Sequence, residues 1–309
     1  MVKPLFVSIT GKQKEYTTFA CSVIGASHIK KGQPCQDSSL TEKGGKYRFA
    51  AVADGHGGEA YFRSDTGSRF AIEALRSCVF DQTAGTALKK LSANNKQKEI
   101  EKVLLQIKKS VIHRWNTLVA QDIKTRPFTE EELNAISQKD ADEYRKGEQT
   151  ERAYGTTLIA VLWTDTFFLA MQIGDGACVI LDSQAEFSQP VPVDEKCFLN
   201  VTTSLCDRNV IDSFRHYYSA APPAAAIIGT DGIDDCFAGA EKLYDFYRVI
   251  LSSFMEKDAQ AAGTELKDYF PRLSEKGSGD DVSIGIIIDD EKLKTLNIIS
   301  ANKEVKSEE

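Results

Sequence analysis

Apolar residues in this chain fall into short blocks that stop at acidic, glycine-rich turns. Tyr16 to Ser27 is rich in strand-forming residues, and Tyr47–Ala53 (YRFAAVA) is an apolar run closed by Asp54-Gly55. From Glu59 to Phe80 the period changes, and Ala60, Phe62, Phe70, Ala71, Ala74 and Leu75 predict a helix after the glycines. Residues 84–150 are rich in Lys, Glu, Gln and Ala, with Ile100, Val103, Leu104, Ile107, Val111 and Ile112 at helical spacing. Pro127 closes that helix, and Thr129-x-x-Glu132 reads as a capping box opening another. This predicts a helical pair with its apolar face packed on sheets.

Between Thr156 and Leu181, two apolar runs flank Thr164-Asp165, a hairpin of buried strands, and Gly174-Asp175-Gly176 interrupts the second run. Residues 183–222 are polar and irregular, with Pro190, Pro192 and Pro222, and Pro223 follows. Ala224–Gly229 is a strand stopped by Asp231-Gly232, Ala240–Phe270 is helical, and Val282–Ile288 is a last strand followed by a charged, fraying tail beyond Lys292. Strands, then helices, then hairpin strands predict an α+β fold of antiparallel sheets flanked by helices.

Composition narrows the classes. At 309 residues, 42% hydrophobic and 27% charged, the chain can form a sizeable core, and neither a repeat nor a linker divides it. A net charge of −7 disfavours nucleic acid and anionic membrane as partners. No apolar run approaches the ~20 residues of a membrane span, and the stretch Pro4–Ile9 is too short for a secretory signal. Seven cysteines without a CxxC pair predict reduced thiols and a cytoplasmic protein.

The chemistry sits in the turns. Gln36-Asp37, Asp54-Gly55-His56-Gly57-Gly58, Gly174-Asp175-Gly176, Asp231-Gly232-Ile233-Asp234-Asp235 and Gly279-Asp280-Asp281 each adjoin an apolar strand. Asp-Gly alone marks an ordinary turn. Several carboxylates brought together at buried strand ends would be costly to desolvate and would repel one another, and divalent cations remove both problems. All-oxygen ligation suits Mg²⁺ or Mn²⁺ rather than structural zinc.

The segments GASHIKKGQPCQDS, AAVADGHGG, YGTTLIAVLW, MQIGDGACVIL, IIGTDGIDD and GSGDDVSIGIII, in this order from Gly25 to Ile288, resemble the metal-dependent serine/threonine protein phosphatases of the PP2C type, and bacterial members more than the long eukaryotic ones. The resemblance implies one domain spanning residues 1–309, a four-layer α-β-β-α sandwich with two bridged Mn²⁺ or Mg²⁺ ions at one end. By motif, Asp54 bridges the metals, Gly55 offers its carbonyl, Asp231 and Asp280 ligate directly, and Asp37 holds a metal-bound water or the second metal. Asp175 and Asp235 match positions that hold a third, weaker ion in many members. A hydroxide shared by two metals would attack phosphorus in line, and His56 matches the histidine proposed to protonate the leaving alkoxide. The implied partners are phosphoproteins and a cognate serine/threonine kinase.

Two departures stand out. Many members carry an arginine about five residues before the aspartate matching Asp37, gripping the substrate phosphate; here Gly32 occupies that place, and Lys30, Lys31 or His28 could supply the charge or belong to a solvated basic turn. Residues 84–150 are longer than in short bacterial members, as a lid, a partner surface or padding, with padding the default. The 183–222 segment falls where the family has its flap, and Arg208, Arg215 and His216 there could meet a phosphopeptide or be surface charges; His113 has no motif context. The alternatives to a protein phosphatase are a catalytically weak pseudophosphatase acting as a binding module and a phosphatase for small esters. The complete Asp37, Asp54, Asp231 and Asp280 set argues against the first.

Overall fold

In the computed structural model, which describes residues 15–44, 46–80, 90–91, 97–198 and 201–296, the apolar blocks form two five-stranded antiparallel sheets. One runs β1 (Tyr16–Val23), β10 (Val282–Asp289), β9 (Ala225–Gly229), β6 (Ala177–Leu181), β7 (Phe187–Ser188); the other runs β2 (Ser38–Gly44), β3 (Tyr47–Ala53), β4 (Leu158–Trp163), β5 (Phe168–Ile173), β8 (Arg215–Ser219). β4, β5, β6, β9 and β10 are buried along their whole length. Each is covered by the opposite sheet on one face and by helices on the other, which is why these strands read as unbroken apolar runs. Expectations for Met1–Thr10, for residues 84–89 and 92–96, and for the tail beyond 296 fall outside the described residues.

Ala50, Val52, Ile159, Val161, Trp163, Ile228 and Ile287 fill the space between the sheets. After α1 (Ala26–Lys31), the helices α2 (Ser64–Phe80) and α3 (Gln97–Thr125) cover the second sheet. Trp115 of α3 is fully buried there and donates its indole N–H to Gly67 O at 3.0 Å; replacing it by alanine removes packing worth about 3–5 kcal/mol. Two short helices follow, α4 (Glu130–Asn134) and α5 (Gln138–Arg145), then α6 (Val210–Ser213) and α7 (Asp231–Asp234). The first sheet is covered by α8 (Ala240–Glu256) and α9 (Ala259–Lys276), through Tyr247, Leu251 and Phe270, and α10 (Asp290–Thr295) follows β10. The capping box at Thr129 and Glu132 forms as expected. None of the seven cysteines is in a disulfide, and no helix among the described residues is long and apolar enough to cross a membrane.

Three boundaries differ from expectation. The first strand ends at Val23, and Ala26–Lys31 is helical, because Gly25 starts a turn whose N–H is held by Asp281. The helical stretch Ala240–Phe270 is two helices; Asp258 accepts from Gln260 N–H and Ala261 N–H and starts the second, which runs on to Lys276. The irregular stretch 183–222 contains β7, α6 and β8, because residues 215–219 pair with β5 and complete the second sheet.

Candidate functional site

Strand register gathers the acidic turns at one end of the sandwich. Ser38 pairs with Ala53, so Asp37, just before β2, and Asp54, just after β3, are neighbours. Gly229 pairs with both Ile284 and Ala177, so Asp231, Asp280 and Asp175 emerge together where β9 ends and β10 and β6 begin. The Gly174-Asp175-Gly176 turn is also where the chain passes from one sheet to the other.

The local anchors are specific. Asp54 donates its N–H to Thr157 Oγ1 and accepts at its carbonyl from Thr156 Oγ1 and Thr157 N–H. Gly55 is wedged so closely that a Cβ would lie 2.6 Å from Gln36 O and 2.7 Å from Ser64 O. Asp37, 8% exposed, accepts from Thr230 Oγ1 at 2.8 Å, tying the two sheets. Asp281 is spent internally: its oxygens accept Gly25 N–H and Gln36 N–H, both at 2.6 Å. Its neighbour Asp280 is exposed, and faces the cleft.

That cleft, about 450 Å³, is lined by Asp54, His56, Gly57, Gly58, Tyr61, Asp175, Val201, Thr202, Asp231 and Asp280, without a lysine or arginine among the described residues. Burial, then the charges of neighbouring carboxylates, push the Asp54 and Asp37 carboxyls well above the usual range. Asp231 is pushed up to about 6, chiefly by burial. Asp231 Oδ1 and Asp234 Oδ1 are buried without a hydrogen-bond partner among the described residues. Clustered carboxylates whose ionised forms are this disfavoured, with an oxygen left over, fit hard divalent cations. His28, Asp280 and Asp281 also each offer a ligand atom within 4.8 Å of the others, but Asp281 is already committed to backbone donors.

His56 packs edge-on against Tyr61, and burial pushes its imidazole down to about 4, against the pull of Asp175. The wall that carries them is held by the helical segment at three places. Tyr144 of α5 donates to Ala60 O at 2.9 Å; Asp140 holds Arg152, which reaches Tyr61; and Glu132 and Asp122 hold the buried Arg63. These contacts make the segment a buttress, where padding was expected.

The structure thus brings Asp54, His56, Asp175, Asp231 and Asp280 together, with Asp37 behind them. Asp235 is exposed on the far end of α7, close enough to Asp175 and Asp280 to feel their charge. The three residues expected to grip phosphate do not line the cleft. Lys30 and Lys31 are exposed at the end of α1, and His28 is 6% exposed with Nδ1 2.9 Å from Asp281 Oδ1. Arg215 and His216 lie on β8, engaged internally: Arg215 with Gly174 O, Pro192 O and Asp194, His216 with Lys108 and Glu101. Tyr61, Val201, Thr202 and Arg152 went unnoticed in the sequence; only the closeness of Tyr61 to the glycines of Asp54–Gly58 could have marked it.

The sequence model of the family described as Protein phosphatase 2C matches residues 24–270. Among solved structures, the chain is similar in fold to the serine/threonine phosphatase PstP/Ppp of Mycobacterium tuberculosis (TM-score 0.51, 15% identity, covering 88% of this chain and 98% of that one). It is also similar to the serine/threonine phosphatase of S. agalactiae (0.54, 14%, 89% and 99%), and to the catalytic domain of serine threonine protein phosphatase PstP in complex with 2 manganese ions (0.51, 17%, 88% and 97%). At these identities the likeness is one of fold. No curated protein sequence matches.

Proposed function

Because the chain belongs to the protein phosphatase 2C family, we propose that it is a divalent-metal-dependent hydrolase of phosphoserine and phosphothreonine in proteins. The observation that carries this reading is the cleft in which Asp54, Asp175, Asp231 and Asp280 converge, with carboxyls whose ionised forms are disfavoured and an orphaned Asp231 oxygen. Asp54, Asp231 and Asp280 are the residues to hold two Mn²⁺ or Mg²⁺ ions, with Asp37 and the Gly55 carbonyl behind them and Asp175 and Asp235 beside a third position. The chemistry such ions supply when bound is neutralisation of phosphoryl charge and acidification of water.

The chain's own groups do the rest. Asp54 is fixed through its backbone by Thr156 and Thr157, so its carboxylate needs little reorganisation on binding. His56 sits on the cleft wall as the proton donor to the leaving oxygen. Burial holds its imidazole down to about 4, and the negative charge of Asp175 opposes that shift. The open shape of the cleft suits a protein loop carrying the phosphate, and cysteines outside any disulfide suit a reducing, cytoplasmic setting. A serine/threonine kinase acting on the same proteins is the implied counterpart.

The test is hydrolysis of a phosphothreonine peptide and of p-nitrophenyl phosphate, with Mn²⁺ and with EDTA. Metal-dependent release of phosphate from the peptide is expected. Turnover of the small ester alone would shift the reading to a small-ester phosphatase, and no turnover of either across several peptides would favour a binding module.

A further inference from the structure

A phosphorylated residue carries about two negative charges at neutral pH and needs donors on the side facing away from the carboxylates. The cleft lining offers few: the hydroxyls of Tyr61 and Thr202, the amides of Gly57 and Gly58, and His56. Two arginines lie beside residues that line it, Arg215 near Asp175 and Arg152 against Tyr61. Arg215 is consumed by Gly174 O, Pro192 O and Asp194, and its side chain is only 14% exposed. Arg152 is different. Its side chain is 35% exposed, it pairs with Asp140 at 2.7 Å, and its guanidinium carbon stands 5.5 Å from the centre of the Tyr61 ring. A guanidinium held beside a phenol favours negative charge building on its oxygen, which makes the hydroxyl a stronger donor to another acceptor. The ring packs against His56 and lies over Gly58 and Gly155, where a Cβ would come within 3.1 Å and 2.5 Å of it.

Resting on the phosphatase reading, we propose that Tyr61 binds the substrate phosphate, its hydroxyl donating to a phosphoryl oxygen, and that Arg152 positions the phenol from behind. The pair takes over the task for which α1 offers only lysines pointing elsewhere than the cleft lining. It also gives α5 a role, because Asp140 aligns Arg152.

The test is steady-state kinetics of Mn²⁺-loaded wild type, Tyr61→Phe, Arg152→Gln and Arg152→Lys on a phosphothreonine peptide, with inorganic phosphate as competing inhibitor and Mn²⁺ affinity measured separately. Tyr61→Phe keeps the ring against His56 and removes only the hydroxyl. Expected is a rise of roughly tenfold or more in KM and in the inhibition constant of phosphate, with kcat changed much less and Mn²⁺ affinity unchanged. Arg152→Gln should shift the same two constants less, and Arg152→Lys should recover part of the loss. If Tyr61→Phe does not fold, the Arg152 pair decides. Unchanged KM and phosphate inhibition in an active enzyme would overturn this inference alone; an inactive wild type would overturn the phosphatase reading and this inference with it.

Discussion

His56 and Tyr61 meet edge to face with ring centres 4.9 Å apart, over Gly155, where a Cβ would lie 2.8 Å from the first ring and 2.5 Å from the second. Gly155→Ala must displace one of them. Overpacking of this kind costs about 1–3 kcal/mol, and a displacement of about 1 Å near the chemistry can cost ~10²-fold in rate. Thermal melting and peptide kinetics should show a lowered Tm and a larger loss in kcat than in Mn²⁺ affinity. A kcat equal to wild type would mean the ring pair positions nothing.

The acidic cluster predicts a pH dependence of known sign. Burial raises the folded-state pKa of Asp37, Asp54 and Asp231, the last to about 6. Groups raised above their unfolded value contribute stability that is present below about pH 4 and lost as pH rises through the folded pKa. Asp122 and Glu132 act in the opposite sense at lower pH: burial raises their pKa, but hydrogen bonds and the charge of Arg63 outweigh it and hold both carboxyls low. His56 and His216, whose imidazoles burial holds low, oppose this trend up to about pH 6.5, so in EDTA and in a His56→Gln/His216→Gln background the Tm should be higher near pH 5 than near pH 7.5. Excess Mn²⁺ should raise the Tm more at pH 7.5, where a hundred times Kd of metal adds about 2.7 kcal/mol of stability, since protons compete for the same oxygens. A metal-free Tm that climbs steadily from pH 5 to 7.5 in that background would contradict the cluster.

Adjacent aspartates should separate structure from binding. Asp281 is 2% exposed and holds two backbone donors, so Asp281→Asn turns an acceptor into a donor facing an N–H, at about 2 kcal/mol or more of stability. Asp280 is exposed, so Asp280→Asn should leave Tm unchanged and weaken Mn²⁺ binding at least ~10-fold. Calorimetric titration and melting curves of both variants check this, and an Asp280→Asn that binds Mn²⁺ normally would remove it from the ligand set.

Arg63, with its side chain 4% exposed, donates to Glu132 at 2.8 Å, Tyr154 Oη at 2.8 Å and Arg126 O at 2.7 Å. Arg63→Met should cost about 3 kcal/mol and loosen α4 and α5 first, visible as faster hydrogen exchange there than in β3 or β10. Uniform loss of protection would mean the buttress is not a separate unit.

The strand ends were legible because an apolar run stopped by Asp-Gly is a local signal, and so was the capping box at Thr129. What brings the aspartates together was not, since the pairing of Ser38 with Ala53, or of Ile284 with Gly229, is set by non-local contacts. Closeness in sequence misled at α1: His28, Lys30 and Lys31 precede Asp37, yet one helical turn points His28 at Asp281 and leaves the lysines outside the cleft lining. Arg215 and His216 looked like loop charges because a five-residue strand among prolines has too weak a pattern to read. Arg152 lies outside every acidic turn of the sequence, and only the packing of α5 places it against Tyr61.

The central claim, that the convergent aspartates form a metal centre for phosphoester hydrolysis, is tested most directly by Asp54→Asn and Asp231→Asn. Bound Mn²⁺ and turnover of a phosphothreonine peptide would be measured on the same samples. Wild type should bind at least two ions and release phosphate, while each variant should bind fewer or weaker and lose at least ~10²-fold in kcat/KM, with the fold intact by circular dichroism. Peptide turnover that survives both substitutions, or proceeds undiminished in EDTA, would contradict the account.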